Sequence, residues 1–417
     1  MSNFNLILSR EKFNHQQYAP VKGIVKAKLN EYYAEKKNSR KINLATVGAY
    51  VSIPLFIIAV ILLLSSVAIS FVVIFKTGNN WLLQPDHFRP LLASLYSLAF
   101  VFLIAWCILY PIVFNARVFL KRDIVASVNN RELTDHLLDY IGLKPLYKND
   151  ENDNKIVNFA NISFFKNTSN FKNLSKFNVI NNKYEMYEAV SNKQLIRMQN
   201  IEFRSEEWIK LNDLSNKEIK KLKSAKSFIY KDKIQKIENK LYFGIAAKLL
   251  NLNKNVSLTL FDELNNYTPE GFKKVEVKDE FMTLNINSEE PSLMQKWASD
   301  TNNLSYLSDL KNEFDSIAIN SSISLKNSRK DKSFAKDLSI LIKNQEAFIW
   351  FKTPTQLLDL YFKTPTLNKE TVTELIVNKI LDEFYLVYLS LMFLAPFGYD
   401  NVVSISENEA KEESSTK

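Results

Sequence analysis

The sequence predicts an α+β protein in which two transmembrane helices form a hairpin, followed by a cytosolic domain with a mostly antiparallel sheet and flanking helices. Two long apolar stretches without any charge predict the membrane helices. Short segments that alternate polar and apolar residues in the C-terminal half predict the sheet. The chain has 417 residues, of which 46% are hydrophobic, and this is enough for both parts.

Both apolar stretches are long enough to cross a bilayer. Residues 42–75 and residues 90–116 contain no charged side chain. About 20 helical residues cross a hydrocarbon core about 30 Å thick, so the first stretch has length to spare and predicts a tilt or a soft kink at Pro54. It is also too long for the hydrophobic region of a cleaved signal peptide. Two buried helices of a soluble protein are the disfavoured alternative, because soluble cores seldom contain two such runs in succession.

Basic residues flank the two stretches on one side. Four precede the first stretch and three follow the second: Lys36, Lys37, Arg40, Lys41, Arg117, Lys121 and Arg122. The segment between the stretches, residues 76–89, has only two basic residues. Cations near the ends of spans are retained on the cytoplasmic side. We therefore expect a two-span protein of the cell membrane, with both termini in the cytoplasm and the seven basic residues at the membrane interface.

The distribution of charge disfavours nucleic acid as a partner. Residues 1–46 hold nine Lys or Arg against three Glu, whereas residues 117–417 carry a net charge of only +2. A nucleic-acid binder concentrates basic residues on its folded domain. The lipid bilayer is the partner that this charge pattern predicts, and nucleic acid is not.

The segments follow one another in a definite predicted order. They are a basic juxtamembrane segment (1–41), the first span (42–75), an external loop (76–89), the second span (90–116), a membrane-proximal helix (117–147), an Asn-rich connection (148–182), the α+β domain (183–398) and a disordered tail (399–417). Within the first segment, apolar residues of 20–37 recur at helical spacing among lysines. This helix lies either on the anionic inner leaflet or against the cytosolic domain, and the sequence leaves both open.

The α+β domain contains patterns of both kinds. Alternation or burial predicts strands at residues 184–190, 256–260, 282–286, 316–319, 322–325 and 347–351. A capping box at Ser215–Glu218 opens a short basic helix, and residues 293–310 predict another. The last helix starts at the N-cap Asn368. Residues 384–397 are apolar on all sides but too few to span a bilayer unaided, so they predict a buried helix, with docking on the membrane or on a partner as the alternatives.

Several short segments of the domain resemble an uncharacterised bacterial family. Residues 272–275 read Phe-Lys-Lys-Val, residues 279–281 read Asp-Glu-Phe, residues 288–291 read Ser-Glu-Glu-Pro, and residues 240–247 and 347–351 read as two of its strands. In this order they resemble the family called domain of unknown function three thousand one hundred and thirty-seven. Its Ala-Arg-Tyr segment is missing, since residues 293–297 read Leu-Met-Gln-Lys-Trp. The resemblance implies a two-span membrane protein with a large cytosolic α+β domain. It implies no activity, because none is assigned to the family.

No catalytic, cofactor-binding or metal-binding residue is predicted, and no cofactor. Five carboxylates of residues 271–297 alternate with apolar residues or lie in a turn, which predicts a solvated face instead of an acid–base pair: Glu276, Asp279, Glu280, Glu289 and Glu290. The three histidines are far apart and there is one cysteine, Cys107, which disfavours a His/Cys metal site and excludes a disulfide framework. Neither of the common phosphate-binding loop motifs occurs.

The sequence does not decide between different classes of function. The first hypothesis is a binding or scaffold module tethered to the inner face of the cell membrane, with unidentified protein partners and with homo-oligomerisation through its spans left open. The alternative is a membrane-proximal enzyme with a site built from scattered Asp, Glu, Lys and Tyr, although the sequence favours no enzyme. An accessory subunit of a membrane transport complex is the weaker alternative, because neither span contains a charged residue.

Overall fold

A computed structural model of the chain shows an α+β architecture with an antiparallel sheet and helices, as the sequence predicts. It describes residues 8–75, 85–128, 131–146, 178–181, 184–191, 193–224, 228–249, 252–253, 255–262, 268–320, 336–353, 356–358, 364 and 366–399. The described helices are α1 (Arg10–Ala34), α2 (Lys36–Phe75), α3 (Pro85–Val128), α4 (Arg131–Tyr140), α5 (Asn216–Ser224), α6 (Pro291–Ala298), α7 (Thr301–Asn320) and α8 (Lys369–Met392). The predicted strand at 322–325, most of the Asn-rich connection and nearly all of the tail lie outside the described residues.

The described strands belong to one sheet, and all their pairings are antiparallel. The strands are β1 (Leu143–Pro145), β2 (Asn178–Asn181), β3 (Tyr184–Ala189), β4 (Leu195–Lys210), β5 (Ile229–Tyr230), β6 (Lys233–Lys248), β7 (Leu258–Leu260), β8 (Lys273–Lys274), β9 (Asn287–Ser288), β10 (Lys336–Lys343) and β11 (Glu346–Thr353). Their order is β1-β3-β4-β6-β11-β10-β7-β9-β8, while β2 pairs with β4 and β5 pairs with β6.

The chain divides into two compact units. The first comprises Met1–Val21, Asn130–Asp359 and Val377–Lys417, and it contains the sheet. The second comprises Lys22–Asn129 and Leu360–Ile376, and it contains α2 and α3. Helices α1 and α8 contribute residues to both units.

The core of the first unit lies between the sheet and two helices. Phe243 of β6 and Phe351 of β11 are paired across the two strands, so both point to the same face of the sheet. Phe314 of α7 packs edge-on against Phe351 with ring centroids 5.2 Å apart, and Phe393 lies 6.2 Å from Phe314. Directly opposed aromatic side chains thus hold helices on this face of the sheet.

Helix α8 supplies the most continuous part of this core. Its start agrees with the predicted cap, because the Asn368 Oδ1 accepts a hydrogen bond from the Thr371 amide at 3.0 Å. A helix that is apolar on all sides needs apolar neighbours all round. Residues 385–391 meet this condition with at most 1% of each residue exposed, so the structure places the apolar end of α8 in the core.

Two predicted strands are wrong. Residues 282–286 were expected to extend as a strand, but Asp279–Leu284 form a 3-10 helix whose buried residues, Phe281 and Leu284, are three apart, the repeat of a 3-10 turn. Residues 316–319 belong to α7, where Leu310, Phe314 and Ile317 are buried at helical spacing. In both cases two or three alternating residues are too few to distinguish a period of two from a period of three or more. The membrane-proximal helix also differs in detail: α3 ends at Val128, α4 follows, and residues 143–145 form β1.

In the second unit, α2 and α3 pack side by side in opposite directions. Phe56 contacts Trp106 with ring centroids 4.7 Å apart, and farther along α2 the Ser70 Oγ lies 3.3 Å from the Tyr96 hydroxyl, which precedes Trp106 in α3. Buried residues recur at intervals of seven, or multiples of seven, on both helices: Ala45, Ser52, Ala59 and Ser66 on α2, and Ala99, Val113 and Leu120 on α3. A seven-residue repeat is typical of helices that cross at a shallow angle, and small residues let their backbones approach closely.

Helix α1 packs against the first residues of α8 within the second unit. The Lys22 ammonium lies 2.5 Å from the Glu374 carboxylate, and the Tyr33 hydroxyl donates to the Leu367 carbonyl at 2.7 Å. Val25 and Leu29 are fully buried. These contacts favour packing over a position on the leaflet for the helix predicted at residues 20–37.

A buried ion pair fixes the middle of α8. The Lys379 ammonium contacts the Glu383 carboxylate one turn away, and their side chains are only 9% and 1% exposed. The second oxygen of Glu383 accepts the Leu358 amide at 3.0 Å, and the Asn200 amide side chain bonds both backbone groups of Leu357 at 2.7 Å. Leu358 has a left-handed backbone with φ of 59°, a conformation that costs an ordinary residue about 1–2 kcal/mol. Glu383 therefore holds a strained segment against the core.

We expect Glu383→Leu to destabilise the protein more than Glu383→Gln. Removing one partner of a buried pair costs about 3–5 kcal/mol, since the other charge stays behind without compensation. Glutamine still offers an oxygen to the Leu358 amide, whereas leucine does not. The matched control is Lys379→Met with Glu383→Gln, which removes both charges and should recover most of the loss. Thermal unfolding of the detergent-solubilised chain measures the series, and equal losses for all three variants would contradict this role of the pair.

We also expect Gly48→Ala to weaken the packing of α2 on α3. An added Cβ would lie 2.5 Å from the Val113 Cγ2, and overpacking of this kind costs about 1–3 kcal/mol. Combining it with Val113→Ala should restore stability, because that change removes the clashing methyl group. Gly23→Ala is the control: nothing lies within 4 Å of its Cβ, so the same substitution should stabilise α1 by up to ~1 kcal/mol. This explanation would be contradicted if Gly23→Ala lowered the melting temperature as Gly48→Ala does. It would also be contradicted if Val113→Ala did not restore the melting temperature of Gly48→Ala, because the close approach of Gly48 to Val113 would then not limit stability.

Candidate membrane interface

Helices α2 and α3 expose a continuous band of large apolar side chains. On α2 the band extends from Leu44, 64% exposed, to Phe71, 57% exposed, and on α3 it extends from Leu91 to Phe119. Soluble monomers rarely expose contiguous apolar patches of more than a few hundred Å². The 28 residues from Leu44 to Phe71 rise about 40 Å as a helix. This exceeds the roughly 30 Å core of a bilayer, so a span would tilt or extend into the headgroups.

Burial separates these two helices from the third apolar helix. Within the part of the chain that the structure describes, three helices are long and apolar enough to cross a membrane: Lys36–Phe71, Pro90–Val128 and Lys369–Phe397. In their most apolar stretches, 17% and 11% of the residues of the first two are buried, against 83% of the third. The apolar surface of α8 is therefore covered by protein, whereas that of α2 and α3 is not.

The structure brings the seven basic residues of the predicted interface to one end of the α2–α3 pair. Lys36, Lys37, Arg40 and Lys41 are exposed in the first two turns of α2. On α3, Arg122 is exposed while Arg117 and Lys121 are half-buried. Gly48 faces Val113, and the helices run in opposite directions. Seven residues before Gly48 on α2 is Lys41, and seven residues after Val113 on α3 is Leu120. Lys41 therefore lies at the same level as Leu120, which is next to Lys121.

The electrostatic balance of this end is positive. Two acidic residues, Glu35 and Asp123, lie within the same turns, and the Asn38 amide donates to the Glu35 carboxylate at 2.7 Å. Burial raises the pKa of Tyr33 to about 12. Burial, and next the Asp123 charge, raise the pKa of Tyr32 to about 12 as well. Both phenols are therefore neutral at physiological pH, and neutral tyrosines with lysines and arginines are the side chains typical of a membrane–water boundary.

The carboxylates of residues 271–297 are all exposed, as the sequence predicts for a solvated face. Glu289 lies 3.1 Å from the Lys343 ammonium and accepts the Ser257 hydroxyl at 3.2 Å. The hydrogen bond from Lys343, then that from Ser257, lower the pKa of Glu289. Among the residues that the structure describes, no group of three or more His, Cys, Asp or Glu side chains could hold a metal ion. His15 and His136 are exposed, and Cys107 is exposed on α3.

A buried pair of tyrosines in the first unit, Tyr385 and Tyr388, is used for packing. The Tyr385 hydroxyl donates to the Leu8 carbonyl at 2.9 Å, and the Leu8 amide donates to the Tyr388 hydroxyl at 3.0 Å. Phe13 packs against both rings, with centroids 5.3 and 6.4 Å away. Burial raises the pKa of Tyr385 and of Tyr388. Neutral hydroxyls that bind backbone groups hold the N-terminal segment on α8, and they are poor nucleophiles.

Sequence reasoning found the seven basic residues but not the seam between α2 and α3. The signal that identifies the seam is a small residue at every seventh position, Ala45, Ser52, Ala59 and Ser66, within an otherwise bulky apolar stretch.

Comparison with known proteins adds nothing to this geometry. No family model matches the chain, no curated protein is significantly similar to it in sequence, and no solved structure is significantly similar to it.

Proposed function

We propose that this protein is a binding or scaffold module tethered to the inner face of the cell membrane. In this proposal α2 and α3 cross the bilayer as a hairpin, and both termini and the α+β domain are cytoplasmic. The observation that carries it is the contrast in burial between α2 and α3 on one side and the third apolar helix, the covered α8, on the other. Only lipid would cover the exposed apolar band without a further protein partner.

The orientation rests on the positive end of the helix pair. Seven Lys or Arg gather at the end of α2 and α3 that connects to the rest of the chain, whereas residues 76–89 hold two. Basic residues close to the ends of spans stay on the cytoplasmic side. Anionic lipids of that leaflet attract each of them by about 1 kcal/mol near the surface.

Binding is favoured over chemistry because the polar clusters already serve the fold. The Lys379–Glu383 pair holds a strained segment, Tyr385 and Tyr388 hold the N-terminal segment, and Glu289 pairs with a surface lysine. The resemblance to the uncharacterised two-span family belongs to the same proposal. The partners would be the lipid bilayer and at least one protein, and self-association through the spans is compatible with them.

We expect the full chain to stay in the membrane pellet after alkaline carbonate extraction. Sidedness can be measured with single cysteines in a Cys107→Ala background. A membrane-impermeant maleimide should label Asn80→Cys on intact cells, and it should label Lys296→Cys, which is exposed on the domain, only after the cells are opened. Extraction of the chain into the carbonate supernatant would contradict the proposed membrane anchor. Labelling of Lys296→Cys on intact cells would show that the orientation is the reverse of the proposed one.

Purification in mild detergent, followed by native mass spectrometry, tests the binding function. We expect a protein partner that co-purifies reproducibly, or a homo-oligomer, and we expect Gly48→Ala with Val113→Ala to retain it because these changes leave the domain untouched. A bound small molecule or metal ion without any protein partner would contradict a scaffold and favour an enzyme.

A further inference from the structure

The long hairpin of β4 and β6 ends in a strongly basic tip. The hairpin tip is defined here as the end of β4 from residue 206, α5, β5 and the start of β6 as far as residue 237. Residues 206–237 hold nine lysines against five acidic residues, Glu206, Glu207, Asp213, Glu218 and Asp232, a net charge of +4. All of residues 117–417 together carry +2, so the rest of this segment carries −2 and the tip is its positive part.

The strand register places the aromatic residues of the tip on one face. Trp208 of β4 is paired with Gln235 of β6, and the Gln235 amide donates to the Phe228 carbonyl at 2.8 Å. Two residues nearer the turn, Lys210 and Tyr230 are both paired with Lys233. Residues directly opposite one another share a face, and so do residues two apart on one strand. Trp208, Phe228 and Tyr230 therefore point the same way.

This aromatic face is open, while the opposite face is partly covered. Trp208 is 50% exposed, Phe228 74%, Tyr230 63% and Ile237 40%. On the other face Ile234 is fully buried and α5 contacts β6, whereas Ile229, which is paired with Ile234, is 44% exposed. The Lys231 ammonium lies 5.4 Å from the centre of the Tyr230 ring, at the edge of the open face. The tip thus presents four large apolar side chains bordered by lysines.

Within the first unit, the tip points in the direction of the start of α8. At the opposite end of β4, the side chain of Gln194 donates to the Gly398 carbonyl, just beyond the end of α8, at 3.2 Å. Farther along β4, Asn200 binds Leu357. The next residue, Leu358, donates its amide to Glu383 in the middle of α8. Strand β4 therefore runs from the end of α8 back towards its start. From Asn200 to Trp208 is about 26 Å of extended strand. Val377, the first residue of α8 in this unit, is only about 9 Å of helix from Glu383.

We infer that the hairpin tip is a second membrane contact, which binds the surface of an anionic bilayer through Trp208, Phe228, Tyr230 and the lysines around them. Exposed Trp, Tyr and Phe side chains are at their most favourable in the headgroup region, and lysines are attracted to the negative potential of an anionic leaflet. The inference rests on the proposed membrane tether, which supplies a high effective concentration of lipid surface. Lipid is favoured over nucleic acid because four large apolar side chains, those of Trp208, Phe228, Tyr230 and Ile237, are exposed on the open face.

Full-length protein in nanodiscs can test the inference with a fluorophore that reports polarity. In a Cys107→Ala background, NBD is attached at Tyr230→Cys, and the discs contain either phosphatidylcholine alone or phosphatidylcholine with phosphatidylglycerol. We expect the emission to shift to shorter wavelength in the anionic discs only. The shift should fall at high salt, since the Debye length drops to roughly 3 Å at 1 M. It should also be lost in a Lys210→Glu, Lys233→Glu variant. The matched control is NBD at Met282→Cys, which is 52% exposed outside the tip and should not respond.

Three results would overturn the inference. The first is water-like emission in both kinds of disc. The second is an equal shift in both kinds of disc that the Lys210→Glu, Lys233→Glu variant also shows. The third is a shift that appears only when a DNA or RNA oligonucleotide is added. The last result would assign the tip to nucleic acid. Failure of the tether is distinguishable, because a chain without membrane spans would not enter the discs, and the inference would then fall with it. A chain that enters the discs but gives no shift would leave the tether intact and refute the tip alone.

Discussion

The exposed apolar band of α2 and α3 is the constraint on which the rest of the structure depends. A helix hydrophobic on most of its surface is stable only where something apolar surrounds it. The chain meets this requirement in two different ways. It surrounds α8 with its own sheet and helices, and it leaves α2 and α3 to pack on each other through one narrow seam of small residues. Because that seam covers so little of either helix, the remainder of their apolar surface stays exposed, as the proposed position in a bilayer requires.

The same distinction explains where polar groups are found. In α8, which is covered by protein, Lys379 pairs with Glu383 and the hydroxyls of Tyr385 and Tyr388 bond the backbone of Leu8, while Thr373 and Ser390 donate to carbonyls of their own helix. In α2, Ser52, Ser66 and Ser70 each donate to a carbonyl of the same helix, as Ser66 does to the Leu62 carbonyl at 2.6 Å. Internal satisfaction is what a lipid environment requires, whereas paired polar groups can hold separate segments together in a protein core.

Sequence patterns identified the long apolar helices, the Ser215 capping box, β11 and the core helix after Asn368, because each has a strong and continuous local signal. They did not identify β4 and β6 as two sixteen-residue strands. In β4, Ile196 and Met198 are buried on one face, and Ile201 and Phe203 on the other. The alternation changes phase within the strand, since each face of the sheet is covered over a different part of its length. The alternation of apolar and polar residues is therefore interrupted in the sequence, although the strand itself is continuous.

Charge shows a similar limit of sequence reasoning. A net charge of +2 over residues 117–417 suggested a domain without an electrostatic preference, but that total is the sum of a basic hairpin tip and an acidic remainder. What a partner meets is the potential of one surface, not the total over a segment. Strand pairing assembles that surface from Trp208, Phe228 and Tyr230, which lie up to 22 positions apart in the chain. The basic residues beside the spans were recognisable because they are contiguous in sequence, whereas the tip became visible only once the register of three strands was known.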